Sequence, residues 1–374
     1  MHTNPAATRG SDGPAVPASE GPAKIGISAE KAAATIEHRL SVAPMMDWTD
    51  RHCRFFLRGF SPRARLYTEM ITAAAIVHGE RDRLLRFSAE ERPLALQLGG
   101  SDPSLLAAAA RAGQERGYDE INLNCGCPSD RVHSGAFGAC LMQRPERVAE
   151  CVAAMRAAVT LPVTVKMRIG IIHPPGAAAQ LALFGEQHYE ALCAFTAMVA
   201  AAGCGEFIVH ARRAVLGGLS PRENREVPPL RFDVVQRLKH DFPLLRLTVN
   251  GGLRTAEQSA QAALWADGVM LGREAYHRPY VLGELHAQLY EDGWAAPPPA
   301  VMLARMQQYA EREVAGGESL AAITRHMLGL LNGQPGARRY RQWLSESARA
   351  DRAPGTHAAH AAALLREART LCAA

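Results

Sequence analysis

The feature that most limits the fold of this chain is an alternation. Short apolar, β-like runs recur from residue 40 to residue 271, separated by stretches of helical period. The runs are Leu40–Ala43, Arg65–Thr68, Leu94–Leu98, Glu120–Asn124, Val163–Arg168, Glu206–His210, Leu245–Asn250 and Gly268–Leu271. Between most of them lie Ala-, Leu- and Arg-rich segments such as Pro103–Arg116 and Pro145–Val159. Parallel neighbours need long crossovers, and helices fill them. The pattern predicts an α/β fold with a mostly parallel sheet, and eight such units are the plan of a (β/α)8 TIM barrel.

The strand pattern stops after Tyr280. Helical periodicity continues over Gly283–Tyr290, Ala300–Val314, Leu320–Leu331, Gly336–Ala350 and His357–Leu371, with Pro297-Pro298-Pro299 as punctuation. This predicts a barrel over residues 38–290 and an all-helical domain over 291–374. Residues 1–37 are rich in Ala, Gly, Pro and Ser and read as a disordered tail without the apolar core of a secretion signal. No apolar run reaches the roughly 18 residues of a membrane span. The net charge of +5 permits a nucleic-acid partner without requiring one. Eight scattered cysteines, none in a CxxC pair, read as reduced thiols of a cytoplasmic protein, with no metal site.

Seven of the eight strands end in something packing alone would not ask for. Strand one gives Ala43-Pro44-Met45-Met46-Asp47, strand three Gln97, and strand four Asn124 and Cys127. Strand five gives Lys166, strand six His210, strand seven Asn250-Gly251-Gly252, and strand eight Gly272-Arg273. Taken singly, a His or Gln at a strand end is structural more often than not, and NGG is a turn. Together they fall on one edge of the sheet, the C-terminal edge where barrels do their chemistry. Cys127, just before the strand-stopping Pro128, is a candidate nucleophile, base or acid. Cys125 lies two residues away, so the two thiols point to opposite faces. Gly251, Gly252 and Gly272 let backbone N–H groups approach a phosphate, and Arg273 adds a charge-assisted hydrogen bond.

The segments SVAPMMDWTDRHCR, LYTEMIT, ALQLGGSDP, YDEINLNCGCPSDRV, GAFGACLM, PVTVKMRIG, FIVHARRA, LSPRENREVPPL, VNGGL and GVMLGREAY, in that order, resemble the tRNA-dihydrouridine synthases. GLSPRENRE and HMLGLLNGQPGARRYR are similar to the A subfamily, which acts on uridines 20 and 20a of the tRNA D-loop. The resemblance spans about residues 40–350 and implies eight barrel strands, FMN as cofactor and NADPH (or NADH) as reductant. It implies flavin contacts from Pro44, Met45, Met46, Gln97, Lys166 and His210, and a phosphate site at Asn250, Gly251, Gly252, Gly272 and Arg273. It implies tRNA contacts from Asn124, Arg222, Arg225, Arg338 and Arg341. Hydride would pass from flavin to uracil C6 and a proton from Cys127 to C5. A thiol of ordinary pKa, about 8.5, is mostly protonated near neutrality and suits that role. The chain departs from the family in its N-terminal tail, in the Pro/Gly/Ala-rich connection 171–187, and in Cys125, where an aliphatic residue is usual. A barrel reductase of free pyrimidines and a non-catalytic tRNA-binding module share parts of the same pattern.

Overall fold

The computed structural model describes residues 39–129, 137–173, 180–349, 359 and 362–368. Eight parallel strands follow one another around a barrel: β1 (Leu40–Val42), β2 (Leu66–Tyr67), β3 (Leu94–Gly99), β4 (Glu120–Cys125), β5 (Val163–Arg168), β6 (Glu206–His210), β7 (Arg246–Asn250) and β8 (Gly268–Leu271). Neighbours in sequence are neighbours in space, and β8 returns to pair with β1. The ring closes at Arg65, whose N–H donates to Leu40 O and whose carbonyl accepts from Val42 N, both at 2.9 Å. The predicted runs and the observed strands agree to within a residue or two at each end.

Period-two alternation explains why the strands hold this arrangement. Leu40, Val42, Leu94, Leu96, Leu98, Ile121, Leu123, Val163, Val165, Phe207, Val209, Leu247 and Val249 all join the main core beneath the helices. The alternate positions face the barrel interior, where Ala43, Tyr67, Ala95, Ile208 and Met270 form a separate apolar cluster. The rest of that interior is polar: Gln97, Glu120, Asn122, Asn124, Thr164 and Thr248 are all buried. Cys125 takes the outward register and is fully buried in the main core. Cys127 is half-buried, so the two thiols part as the strand period requires.

Local signals set the helix ends. The helix Pro103–Arg116 has Asp102 as its N-cap, accepting from the amides of Ser104 and Leu105, and stops at Gly117, whose φ of +96° is left-handed. The helix Arg51–Arg58 starts on Asp50, whose carboxylate accepts from Cys53 N at 2.9 Å. One predicted helix is interrupted. Leu320–Leu331 is an α-helix only over Leu320–Thr324 and a 3₁₀ turn over Arg325–Met327. Past that turn, Gly329 packs against the backbone of an earlier helix, where a Cβ would stand 2.6 Å from His277 O and 2.8 Å from Tyr276 O.

All the described residues lie in one unit, residues 36–374. The C-terminal helices Pro299–Ala315 and Ala337–Arg349 follow the barrel, and helix Pro299–Ala315 packs on helix Arg51–Arg58. Phe55 stacks on Tyr309 at 4.0 Å, Arg305 donates to Phe55 O at 2.9 Å, and His52 Nδ1 lies 2.7 Å from the Tyr309 hydroxyl. Asp50 ties the same region down through Arg325 at 2.7 Å and His326 at 3.0 Å. Burial alone would raise its carboxyl pKa, but His326, the Cys53 amide and Arg325 hold it well below the usual range. The last helical prediction, His357–Leu371, is described as helix over 362–368. Among the described residues no helix is long and apolar enough to cross a membrane.

Candidate active site

The strand registers bring the polar strand ends into rows. Asn124 stands opposite Lys166, while Arg168, His210, Asn250 and Met270 continue a second row across β5 to β8. Every one of them belongs to the C-terminal end of its strand. The edge predicted from sequence is therefore a real rim.

Cys127 sits on a turn clamped from several sides. The Asn124 side-chain oxygen accepts from Gly126 N at 3.1 Å and Cys127 N at 3.0 Å. Arg168 Nε donates to Gly126 O at 3.2 Å, and Ala139 N donates to Cys127 O at 2.9 Å. Among the described residues the Cys127 thiol meets Ser129 Oγ, at 3.5 Å. The backbone of the turn is held on both sides. The remainder of the motif, Asp130, Arg131 and Val132, lies outside the described residues.

Cations crowd this turn. Lys166 Nζ donates to Asn250 Oδ1 at 3.1 Å, and Asn250 in turn donates to Met270 O at 2.8 Å. Burial, reinforced by Arg168, brings the Lys166 pKa down to about 7. Burial likewise brings Arg168 down to about 9, with Arg225 and Arg212 pushing the same way. His210 is held well below its ordinary value, first by burial and then by Arg168, Lys166, Arg212 and Arg225, so it is a neutral imidazole at neutral pH. Buried cations that repel one another in this way mark a place prepared for an anion.

The loop after β7 supplies the backbone part. Gly251 and Gly252 have φ of +104° and +68°, the region that favours glycine. A Cβ on Gly251 would stand 2.2 Å from His210 Cδ2, and one on Gly252 would stand 2.2 Å from Leu230 Cδ1. Among the described residues, the amides of Gly251, Gly252 and Arg273 donate to no protein acceptor. Free N–H groups beside cations are the donor set a phosphate needs. Arg273 reaches the rim in an ion pair with Glu226 at 2.6 Å, and Glu226 also lies 3.7 Å from Arg222. At the β1 end, Pro44 and Met45 are half-buried and Met46 is 58% exposed. Gly272 lies alongside Met45, whose sulfur is 3.5 Å from the position of a Cβ.

Not every predicted residue converges. Gln97 is buried with both ends in use, its amide N donating to Asn122 and its oxygen accepting from Asn124. Arg222 and Arg225 lie at the 3₁₀ turn Glu223–Arg225 in the loop after β6, and burial, reinforced by Arg273, lowers the pKa of Arg225. Arg338 and Arg341 lie elsewhere, exposed on helix Ala337–Arg349. Their neighbour Tyr340 is a core residue with its hydroxyl on Met327 O, and Trp343 is half-buried against that core. Sequence reasoning missed three residues. Arg168 was legible, two positions from Lys166 on the same face. Arg212 and Asn224 carried no such signal. Asn224, fully buried, fastens the loop through Val215 and accepts Arg168 on its carbonyl at 3.0 Å.

The connection 171–187 is moored at both ends. Ile171–Ile172 pairs in parallel with Ala214–Val215, and Arg213 donates to Ile171 O, Leu183 O and Gln180 O. The helix that ends it starts at Glu186.

A (β/α)8 barrel with a half-buried thiol, buried cations and backbone amides gathered on its C-terminal rim defines a barrel enzyme. Comparison with known proteins narrows this. Residues 41–369 match the family model "Dihydrouridine synthase (Dus)", and the chain belongs to that family of oxidoreductases, in its A subfamily. A relative from Pseudomonas aeruginosa named tRNA-dihydrouridine(20/20a) synthase is 54% identical, over 84% of this chain and 91% of its own. Proteins of the same name from Synechocystis sp. and Escherichia coli K12 are 54% and 51% identical, over 82% and 83% of this chain and 89% and 86% of theirs. Among solved structures, a 2-naphthoyl-CoA reductase complex is similar at a TM-score of 0.50 and 12% identity, covering 69% of this chain and 51% of its own. That likeness concerns the fold alone.

Proposed function

We propose that this enzyme reduces the C5–C6 double bond of uridine to 5,6-dihydrouridine in the tRNA D-loop, at positions 20 and 20a, with FMN as its flavin and NADPH as reductant. The observation that carries the reading is the Cys127 turn: a half-buried thiol, with Ser129 Oγ its partner among the described residues, on a loop clamped by Asn124 and Arg168. The donor set fits FMN. Free amides at Gly251, Gly252 and Arg273 suit its phosphate, and Lys166 suits the negative charge a reduced flavin carries near N1 and O2. When bound and reduced, FMN supplies the hydride to uracil C6. Cys127 Sγ then gives its proton to C5, where negative charge develops.

The other residues bind and orient. His210, neutral and packed on Gly251, serves as a hydrogen-bonding wall for the cofactor rather than as a cation. Pro44, Met45 and Met46 line the mouth at the β1 end. One Asn124 N–H remains free of the Gln97 bond and can meet a uracil carbonyl. Arg222 and Arg225 on the rim, with Arg338 and Arg341 on the helical part, hold the RNA backbone while the base is unstacked. In this reading residues 38–290 form the catalytic domain and 291–374 the tRNA-binding one, in a cytoplasmic enzyme.

The test is nucleoside mass spectrometry of tRNA lacking dihydrouridine after incubation with the enzyme, FMN and NADPH. D-loop uridines gain two hydrogens with the wild type and not with Cys127→Ala. Reduction of free uracil or uridine, with none of tRNA, would replace this reading by that of a small-molecule reductase.

A further inference from the structure

The barrel interior holds a hydrogen-bonded chain that runs down from Asn124 through residues with no part in the proposed chemistry. Asn124 Nδ2 donates to Gln97 Oε1 at 2.9 Å, and Gln97 Nε2 donates to Asn122 Oδ1 at 2.8 Å. Asn122 Nδ2 donates to Thr164 Oγ1 at 2.7 Å, and Thr164 donates to Glu120 Oε1 at 2.5 Å. All five side chains are buried, none more than 8% exposed. At its lower end Glu120 also accepts from the Tyr67 hydroxyl at 3.0 Å and pairs with Arg65.

Every link runs the same way, and the groups at the two ends call for the same direction. An ionised carboxylate only accepts, so Thr164 must donate to Glu120 and must then accept from Asn122. That turns the Asn122 oxygen toward Gln97, and the Gln97 oxygen toward Asn124. At the upper end the amides of Gly126 and Cys127 only donate, so they need the Asn124 oxygen. A flipped amide anywhere in the chain would place two donors or two acceptors face to face, which is costly in a buried site.

We infer that Glu120, Thr164 and Asn122 are positioning residues for Cys127: they fix the polarity of the chain and so lock the Asn124 oxygen onto the catalytic turn. The inference rests on Cys127 as the proton donor. A row of polar side chains that merely satisfied one another would have no fixed direction. This one is polarised by a carboxylate at one end and ends on the reactive loop at the other.

Thr164→Val removes the hydroxyl at constant shape and cuts the chain far from the turn; Thr164→Ser keeps it. With tRNA as substrate, kcat falls about tenfold in Thr164→Val, the scale of one lost buried hydrogen bond. Flavin content and KM for tRNA stay at wild-type values, and Thr164→Ser restores kcat. The rate of Cys127 alkylation by iodoacetamide shifts in parallel, reporting the turn directly without turnover. Asn122→Leu, one link nearer the turn, is read the same way and stands in if Thr164→Val does not fold. Wild-type kcat and alkylation rate in the folded variant overturn the inference, as does a loss confined to KM or to flavin content, or one that Thr164→Ser does not rescue. Failure is separable from failure of the functional reading: a dead Cys127→Ala beside a normal Thr164→Val removes only the positioning role, whereas an active Cys127→Ala removes the acid assignment itself.

Discussion

Replacing Gly251 by alanine tests the cradle most directly, because its cost divides into two parts. The backbone there has φ +104°, a region that costs a residue bearing a Cβ about 1–3 kcal/mol. The new methyl would also stand 2.2 Å from His210 Cδ2 and 2.5 Å from His210 Nε2, against about 3.5–4.0 Å for a comfortable contact. His210 is only 7% exposed and lies on β6 between Arg168 and Asn250, so moving the ring means repacking its neighbours. Forced repacking of this kind costs about 1–3 kcal/mol more. The total comes to about 2–6 kcal/mol. Gly317→Ala is the matched control. Its φ is +95° but nothing lies within 4 Å of the added Cβ, so it carries the backbone part alone. Denaturant unfolding of the two variants, with FMN content measured on the same preparations, isolates the steric part. Gly251→Ala should lose more stability than Gly317→Ala and should also lose flavin. Equal losses with full flavin content would refute the argument that His210 and Gly251 form one packed unit.

Other consequences follow from the same structure. Lys166 has a folded-state pKa of about 7 against an ordinary lysine value of 10.5; between those values the unfolded chain binds the extra proton, so this residue makes stability rise with pH across that window. Lys166→Met should flatten that part of the profile, measured as denaturation midpoints at successive pH values. Asp50 is the opposite case, since its folded pKa is depressed; its contribution is present at neutral pH and lost as pH falls below the ordinary carboxylate range. Asp50→Asn should cost about 1–3 kcal/mol at pH 7 and weaken the acid dependence of unfolding. Peptide mass spectrometry after brief alkylation should find label on Cys127 and none on Cys125, which is fully buried with its pKa pushed well up by that burial; label on Cys125 would mean that the barrel wall opens.

Much of the architecture was written locally. Short apolar runs gave an α/β fold with a mostly parallel sheet, the family resemblance brought the strand count to eight, and Asp102, Pro103 and Gly117 set the limits of one helix almost to the residue. The face of each strand followed too: Cys125 and Cys127 part because side chains alternate. The rim residues Lys166, His210, Asn250 and Cys127 were legible because a strand that needs only packing has no use for them at its end.

What the sequence could not contain was anything that depends on two distant segments meeting. The close approach of Gly329 to the backbone of Tyr276 and His277 is a contact no local propensity encodes. The same holds for Gln97, which reads from sequence as a group free to meet a cofactor. In the barrel it is committed to Asn122 and Asn124 on the neighbouring strand. The lowered pKa of Lys166 and the neutrality of His210 likewise come from burial and from cations on other strands and loops. Periodicity and caps are properties of a few consecutive residues, so the chain alone determined them. Register, burial and the sum of charges at a rim belong to the closed barrel, and only tertiary structure decided them.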